Sequence, residues 1–130
     1  MRGRIFVVED DLDVVEYYCL MLAAGQMELW GRASTGEEAV RLYFATEEPP
    51  DVVLLDHRLP GCTGIEVART IRERDPLAVF VLVTADDSAI EVARALGIKR
   101  LKRKPVSHAN LLRNLSGAID EALQLRTSAT

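Results

Sequence analysis

Three short runs of consecutive apolar residues punctuate the chain: Ile5-Phe6-Val7-Val8, Val52-Val53-Leu54-Leu55 and Val79-Phe80-Val81-Leu82-Val83. Each is rich in β-branched side chains and lacks polar alternation, the pattern of a strand covered on both faces, as in a parallel sheet. Each stops abruptly at polar residues. Between the runs, apolar positions recur at helical spacing, as in Val15, Tyr18, Cys19 and Leu22, and again in Ile65, Ala68 and Ile71. Strand and helix therefore alternate along the chain.

Local signals set the boundaries. Asp11 and Asp13 open the first helix, where a carboxylate accepts from free amides and suits the helix dipole, and Gly25 ends it. A weaker strand follows over residues 27–33. The next helix spans residues 36–46 after Ser34-Thr35, and Pro49-Pro50 forbids its continuation. Pro60, Gly61 and Gly64 mark a tight loop before a helix that ends at Arg74, ahead of Asp75-Pro76. A helix over residues 88–96 stops at Gly97, residues 100–103 form a short last strand, and Ser107 caps a final helix to Leu125. Residues 1–125 read as one domain and residues 126–130 as a frayed tail. Five strands alternating with five helices imply a doubly wound α/β fold, a parallel sheet with right-handed crossovers.

Composition adds little but excludes much. At 130 residues, 48% of them apolar, there is room for one core and no sign of disorder. A net charge of −4 gives no global pull toward nucleic acid or anionic membrane. Cys19 and Cys62 lack metal-ligand spacing and read as a helix core residue and a loop residue. Neither a cleavable leader nor an apolar span of membrane length is visible, so a cytoplasmic location is expected.

In doubly wound sheets, ligands bind beyond the carboxyl ends of the strands. Those ends carry Glu9, Asp10 and Asp11 after the first strong run, Asp56 after the second, Thr84 after the third, and Lys104-Pro105 after the last strand. Carboxylates crowded on one rim repel unless a cation sits among them, and Mg²⁺ suits hard oxygen donors. With such an ion present, one carboxylate can act as nucleophile toward phosphorus. Asp56, alone at the end of a central strand, fits that task, with Asp10 and less directly Glu9 holding the ion. The Lys104 ammonium and the Thr84 hydroxyl would neutralise the phosphoryl oxygens. For Asp11, helix capping is the expected role.

The segments Val7-Val8-Glu9-Asp10-Asp11, Leu54-Leu55-Asp56-His57-Arg58-Leu59-Pro60-Gly61 with Gly64, Val83-Thr84-Ala85 and Lys104-Pro105 resemble the receiver domains of bacterial two-component response regulators. The resemblance covers nearly the whole chain. It implies a flavodoxin-like five-stranded parallel sheet of order 2-1-3-4-5. It implies Mg²⁺ held by Glu9, Asp10, Asp56 and the backbone carbonyl of Arg58, and phosphorylation of Asp56 by a sensor histidine kinase or histidine phosphotransfer protein. Thr84 and Lys104 would contact the phosphoryl group. The chain would be a switch rather than an enzyme, with self-phosphorylation and self-dephosphorylation its only chemistry.

Several positions depart from that pattern. Leu101 stands where the family carries an aromatic switch residue, and Lys102 and Arg103 replace apolar residues of the last strand. The stretch from Thr84 to Gly97 is about two residues shorter than the family's. Between residues 92 and 119 there is no acidic residue, while Arg94, Lys99, Arg100, Lys102, Arg103, Lys104 and Arg113 are basic. The plain reading is a solvated basic face. A protein output partner comes next, and nucleic acid last, for want of interleaved aromatics. Arg58 and Asp86 are expected to pair across the site. Val14, Tyr17, Leu20 and Met21 lie off the core face of the first helix, which marks either a docking surface for a kinase or phosphotransfer helix or, equally, extra burial by a neighbouring helix. Two alternatives remain: a pseudo-receiver that binds partners without cycling phosphate, and a haloacid-dehalogenase-like phosphatase using Asp11 of Asp11-Leu12-Asp13-Val14-Val15. The second lacks an acidic pair after Lys104 and leaves Asp56 idle.

Overall fold

A computed structural model describes residues 3–129. Its strands are β1 (Arg4–Val8), β2 (Glu28–Ala33), β3 (Val52–Asp56), β4 (Arg58–Leu59), β5 (Cys62–Thr63), β6 (Phe80–Thr84) and β7 (Arg100–Arg103). Its helices are α1 (Leu12–Ala24), α2 (Gly36–Tyr43), α3 (Gly64–Arg74), α4 (Asp87–Ala95) and α5 (His108–Ala129). The main sheet is parallel throughout, in the order β2-β1-β3-β6-β7, which is 2-1-3-4-5 counted over its own strands. β4 and β5 form a separate antiparallel hairpin between β3 and α3, an addition to the expected alternation.

The two faces of the sheet bury different helices. Phe6, Val8, Val53, Leu55, Phe80 and Leu82 point to the side covered by α2, α3 and α4. Ile5, Val7, Val52, Leu54, Val81 and Val83 point to the side covered by α1 and α5. Successive strand residues face opposite ways, so a strand between two helical layers must be apolar at every position. β3 and β6 are buried along their whole length.

Helix starts follow the side-chain oxygens of the sequence. Asp11, Thr35, Thr63, Asp86 and Ser107 each accept from an amide two or three residues on. Each acceptor satisfies a donor that the first turn leaves open.

Several expectations need correction. β2 starts at Glu28, and α2 ends at Tyr43 instead of residue 46; Phe44 beyond it lies under the Arg74 guanidinium, 3.8 Å from its ring centroid. α4 begins at Asp87, because Asp86 supplies the cap. α5 does not stop at Leu125 but runs to Ala129, with Thr130 outside the described residues. Tertiary contact holds the extra turn: Arg126 donates to both oxygens of Asp75, and Asp75 also accepts from Tyr43. On α1, Met21 is a core residue at 1% exposure, whereas Leu12 and Leu20 are 73% exposed. Cys62 belongs to the hairpin and packs against the core, Cys19 is only half buried, and both thiols are free.

Candidate functional site

The parallel sheet brings the ends of β1, β3, β6 and β7 to one rim. β1 delivers Glu9 and Asp10, β3 ends on Asp56, β6 ends on Thr84, and Lys104 follows β7, its amide held by the Thr84 carbonyl at 2.9 Å. In the register, Asp56 lies opposite Val83, so Thr84 stands one step further out on the rim. Glu9, Asp10 and Asp56 each present a carboxylate oxygen within 4.8 Å of the others. Glu9 and Asp56 are buried, at 2% and 8% exposure, and Asp10 is exposed.

Lys104 is the cation of this cluster. Its Nζ is 3.2 Å from Asp56 Oδ1 and 3.9 Å from Glu9 Oε1. Asp56 Oδ1 also accepts from the His57 amide at 3.0 Å. Among the described residues, Oδ2 of Asp56 has no hydrogen-bond partner. Glu9 Oε2 accepts from the Asp11 amide, but Oε1 is buried with no hydrogen bond at all. Burial first, and then the charge of Asp56, raise the Glu9 carboxyl to about 7, against the opposing pull of the Asp11 amide and Lys104. A buried carboxylate with one oxygen lacking a hydrogen bond, beside two more carboxylates, is an arrangement that a hard divalent ion satisfies.

The remaining predicted residues fall as follows. The Thr84 hydroxyl is buried and accepts from the Asp86 amide at 3.0 Å. Arg58 lies in β4, paired with Thr63, with an exposed side chain. Among the described residues no ion pair joins it to Asp86, so the expected bridge is absent. Asp86 is instead held by the Ser88 hydroxyl and amide, which keep its carboxyl below the usual range. Asp11 caps α1, as expected, and lies outside the carboxylate cluster. Leu101 is half buried, in register with Leu82 and packed on the core beneath α2, α3 and α4. Arg103, one of the two unexpected cations of the last strand, pairs with Asp87 of α4 at 2.8 Å across a solvent-exposed edge.

Two residues of the quoted motif, His57 and Gly64, carry structural roles at the site that the sequence did not assign. His57 is buried, and its Nδ1 has no partner; its place beside Asp56 in the motif does not disclose that burial. Gly64 donates to the His57 carbonyl, and a Cβ on it would sit 2.4 Å from the Asp56 carbonyl oxygen. Only glycine lets the end of the hairpin close on the residue after β3.

A doubly wound sheet with an aspartate-centred acidic cluster, a lysine and a hydroxyl on its carboxyl rim defines a phosphoacceptor-type signalling domain. The family model described as "Response regulator receiver domain" matches residues 5–116. The chain belongs to that family, the receiver domains of two-component signal transduction. It is 30% identical to the transcriptional regulatory protein YdfI of Bacillus subtilis over 90% of this chain and 55% of that protein. It is 36% identical to the DNA-binding response regulator MtrA of Mycobacterium tuberculosis over 74% of this chain and 40% of that one. The chain thus spans about half the length of the curated relatives it matches. A receiver domain from Clostridium thermocellum shares the fold at a TM-score of 0.86 and 23% identity, with 95% of this chain and 98% of that one covered. The BeF3-activated DrrB receiver domain aligns at a TM-score of 0.78 and 27% identity, over 92% of this chain and 99% of its own. Among the described residues no helix is long and apolar enough to cross a membrane.

Proposed function

We propose that Asp56 takes a phosphoryl group from the phosphohistidine of a sensor histidine kinase or histidine phosphotransfer protein in the cytoplasm. A magnesium ion would be held by Glu9, Asp10, Asp56 and the Arg58 carbonyl. The observation that carries this reading is the state of Asp56 itself: one oxygen is held by Lys104 and an amide, the other is free, and two further carboxylates converge on the residue. Glu9 Oε1, buried without a hydrogen bond and 3.9 Å from the Lys104 ammonium, supports the ion.

In the proposed step, Asp56 Oδ2 attacks phosphorus as the bond from phosphorus to the imidazole nitrogen breaks and its electron pair returns to the imidazole. The product is an acyl phosphate on Asp56. When bound, the ion would neutralise the carboxylates and the phosphoryl oxygens that gather there. Lys104 would hold one phosphoryl oxygen through a charge-assisted contact. Thr84 can keep accepting from the Asp86 amide while donating its own proton to another phosphoryl oxygen. That donation would draw the start of α4 toward the site. Leu101, packed between β6 and α4, would repack with it and carry the change to the α4, β7 and α5 face, where a protein output partner would dock. The same chemistry with a small acyl phosphate as donor gives self-phosphorylation, and water attack on phosphorus gives self-dephosphorylation.

Intact-mass measurement after incubation with acetyl phosphate and Mg²⁺ tests the proposal. The expected result is one added phosphoryl group, absent in Asp56→Asn and retained in Asp11→Asn. Failure to gain phosphate from this donor and from every histidine kinase offered would overturn it in favour of a partner-binding module. Gain that survives Asp56→Asn but not Asp11→Asn would move the nucleophile to Asp11.

A further inference from the structure

At the pole of the sheet opposite Asp56, a polar cleft of about 120 Å³ opens where the first residues of β6 and β7 meet the ends of α3 and α5. Its charged lining is Arg72, Lys99, Arg100 and Glu121. Three cations thus face one carboxylate. Asp75, which follows α3, is already committed to Arg126 and Tyr43.

Neither arginine is well matched by the protein. Arg72 donates to the Ala78 and Leu96 carbonyls at 3.4 Å each, both long, and lies over the Phe80 ring. Burial lowers its pKa, with only Glu121 opposing. Arg100 reaches Glu121 at 3.5 Å, and its Nε is buried without an acceptor. It lies flat across α5 at Gly117, where a Cβ would come within 2.9 Å of its Nη1. Lys99 is exposed and has no ion-pair partner among the described residues. Desolvated guanidinium groups with long, sparse hydrogen bonds are costly, and an unsatisfied buried donor calls for a reason such as a bound ion. Arginine forks are matched by planar or tetrahedral oxyanions.

We propose that this cleft is a binding site for a single phosphate-sized oxyanion, free phosphate or the phosphate of a small monoester, held by Arg72, Arg100 and Lys99. The volume accommodates one such group, since a water occupies about 30 Å³ of liquid. The ion would tie the end of α3 to β7 and α5. The site does not depend on phosphorylation of Asp56 and stands apart from it.

The test uses Asp56→Asn protein without magnesium, so that the carboxylate rim takes no part. Inorganic phosphate, and separately a nucleoside 5′-monophosphate, are titrated at constant ionic strength while amide NMR shifts and the melting temperature are followed. Saturable shifts at Gly97, Arg100 and Gly117 are expected, with a rise in melting temperature. In Lys99→Gln and in Arg100→Gln the affinity should fall about tenfold, the loss of one charge-assisted contact. Tighter binding of the monoester identifies a metabolite, and equal binding identifies free phosphate; either supports the site. Lys99 is exposed, so its variant keeps the test alive if Arg100→Gln fails to fold. Shifts that never saturate, or a thermal rise as large in Lys99→Gln as in the parent, reduce the effect to salt exclusion from the surface and overturn the proposal.

Discussion

Replacing Arg126 with alanine tests how the last turn of α5 is held. Asp75 is largely buried, its side chain 15% exposed, and accepts from Tyr43 at 2.6 Å, from Arg126 at 2.8 and 3.3 Å, and from the Leu77 amide at 3.2 Å. Burial acts to raise its pKa, yet the hydrogen bonds of Arg126 and Tyr43 and the Arg126 charge outweigh it and leave the carboxyl below the usual range. Without Arg126 the carboxylate keeps two donors but loses its countercharge. Bonds to charged groups contribute about 1.5–3 kcal/mol, and breaking a fully buried pair costs about 3–5 kcal/mol. Arg126 is 37% exposed, which screens the pair and puts the expected loss at about 2 kcal/mol. For a domain of this size that lowers the melting temperature by about 4–8 °C. Urea unfolding followed by circular dichroism measures it. A depressed folded-state pKa means that the stabilisation is complete above the unfolded value near 3.8 and is lost as pH falls through the lower folded value. The gap between wild type and Arg126→Ala should therefore be constant from pH 6 to 8 and close below about pH 4. Truncation after Leu125 should cost at least as much. A gap under about 0.5 kcal/mol at pH 7, the range of ordinary surface changes, or one that persists unchanged into strong acid, would refute the reasoning.

Other perturbations probe the rim. Lys104→Met should lower the rate of phosphoryl uptake from acetyl phosphate by about 10²–10³-fold, the usual effect of losing one preorganised electrostatic contact, while Mg²⁺ binding persists or tightens, as measured by titration calorimetry. Glu9→Gln removes a buried charge whose Oε1 has no hydrogen bond; it should raise the melting temperature without magnesium and weaken Mg²⁺ binding, and a variant less stable than wild type in metal-free buffer would contradict this. Gly64→Ala drives a methyl group against the Asp56 carbonyl and should destabilise the domain by about 1–3 kcal/mol in urea unfolding, with phosphoryl uptake reduced as Asp56 shifts.

The architecture was legible because its cause is local. A strand buried on two faces must be apolar at each position, and a parallel connection must pass through a helix, so the runs at Ile5, Val52 and Val79 with helical spacing between them admit few topologies. The rim residues were legible for the same reason. Glu9, Asp10, Asp56, Thr84 and Lys104 each end or follow a strand, and in a parallel sheet the carboxyl ends of all strands lie at the same edge. Asp11 could be assigned to capping because a cap acts within one turn of its own helix.

What the sequence left open depends on contacts between distant segments. The extent of α5 past Leu125 rests on Asp75, 51 positions before Arg126 in the chain. Met21 is buried because α5 covers a second side of α1, which no periodicity within α1 reveals. Arg58 and Asp86 look like partners from their spacing, but Ser88 is nearer and takes the carboxylate. Nor could spacing disclose that Arg72, Lys99 and Arg100 line one cleft with a single carboxylate, Glu121, since that crowding arises only when α3, β7 and α5 meet. Patterns within a segment report which face must leave water. Which charges are satisfied depends on neighbours that only the folded chain brings within a few ångströms.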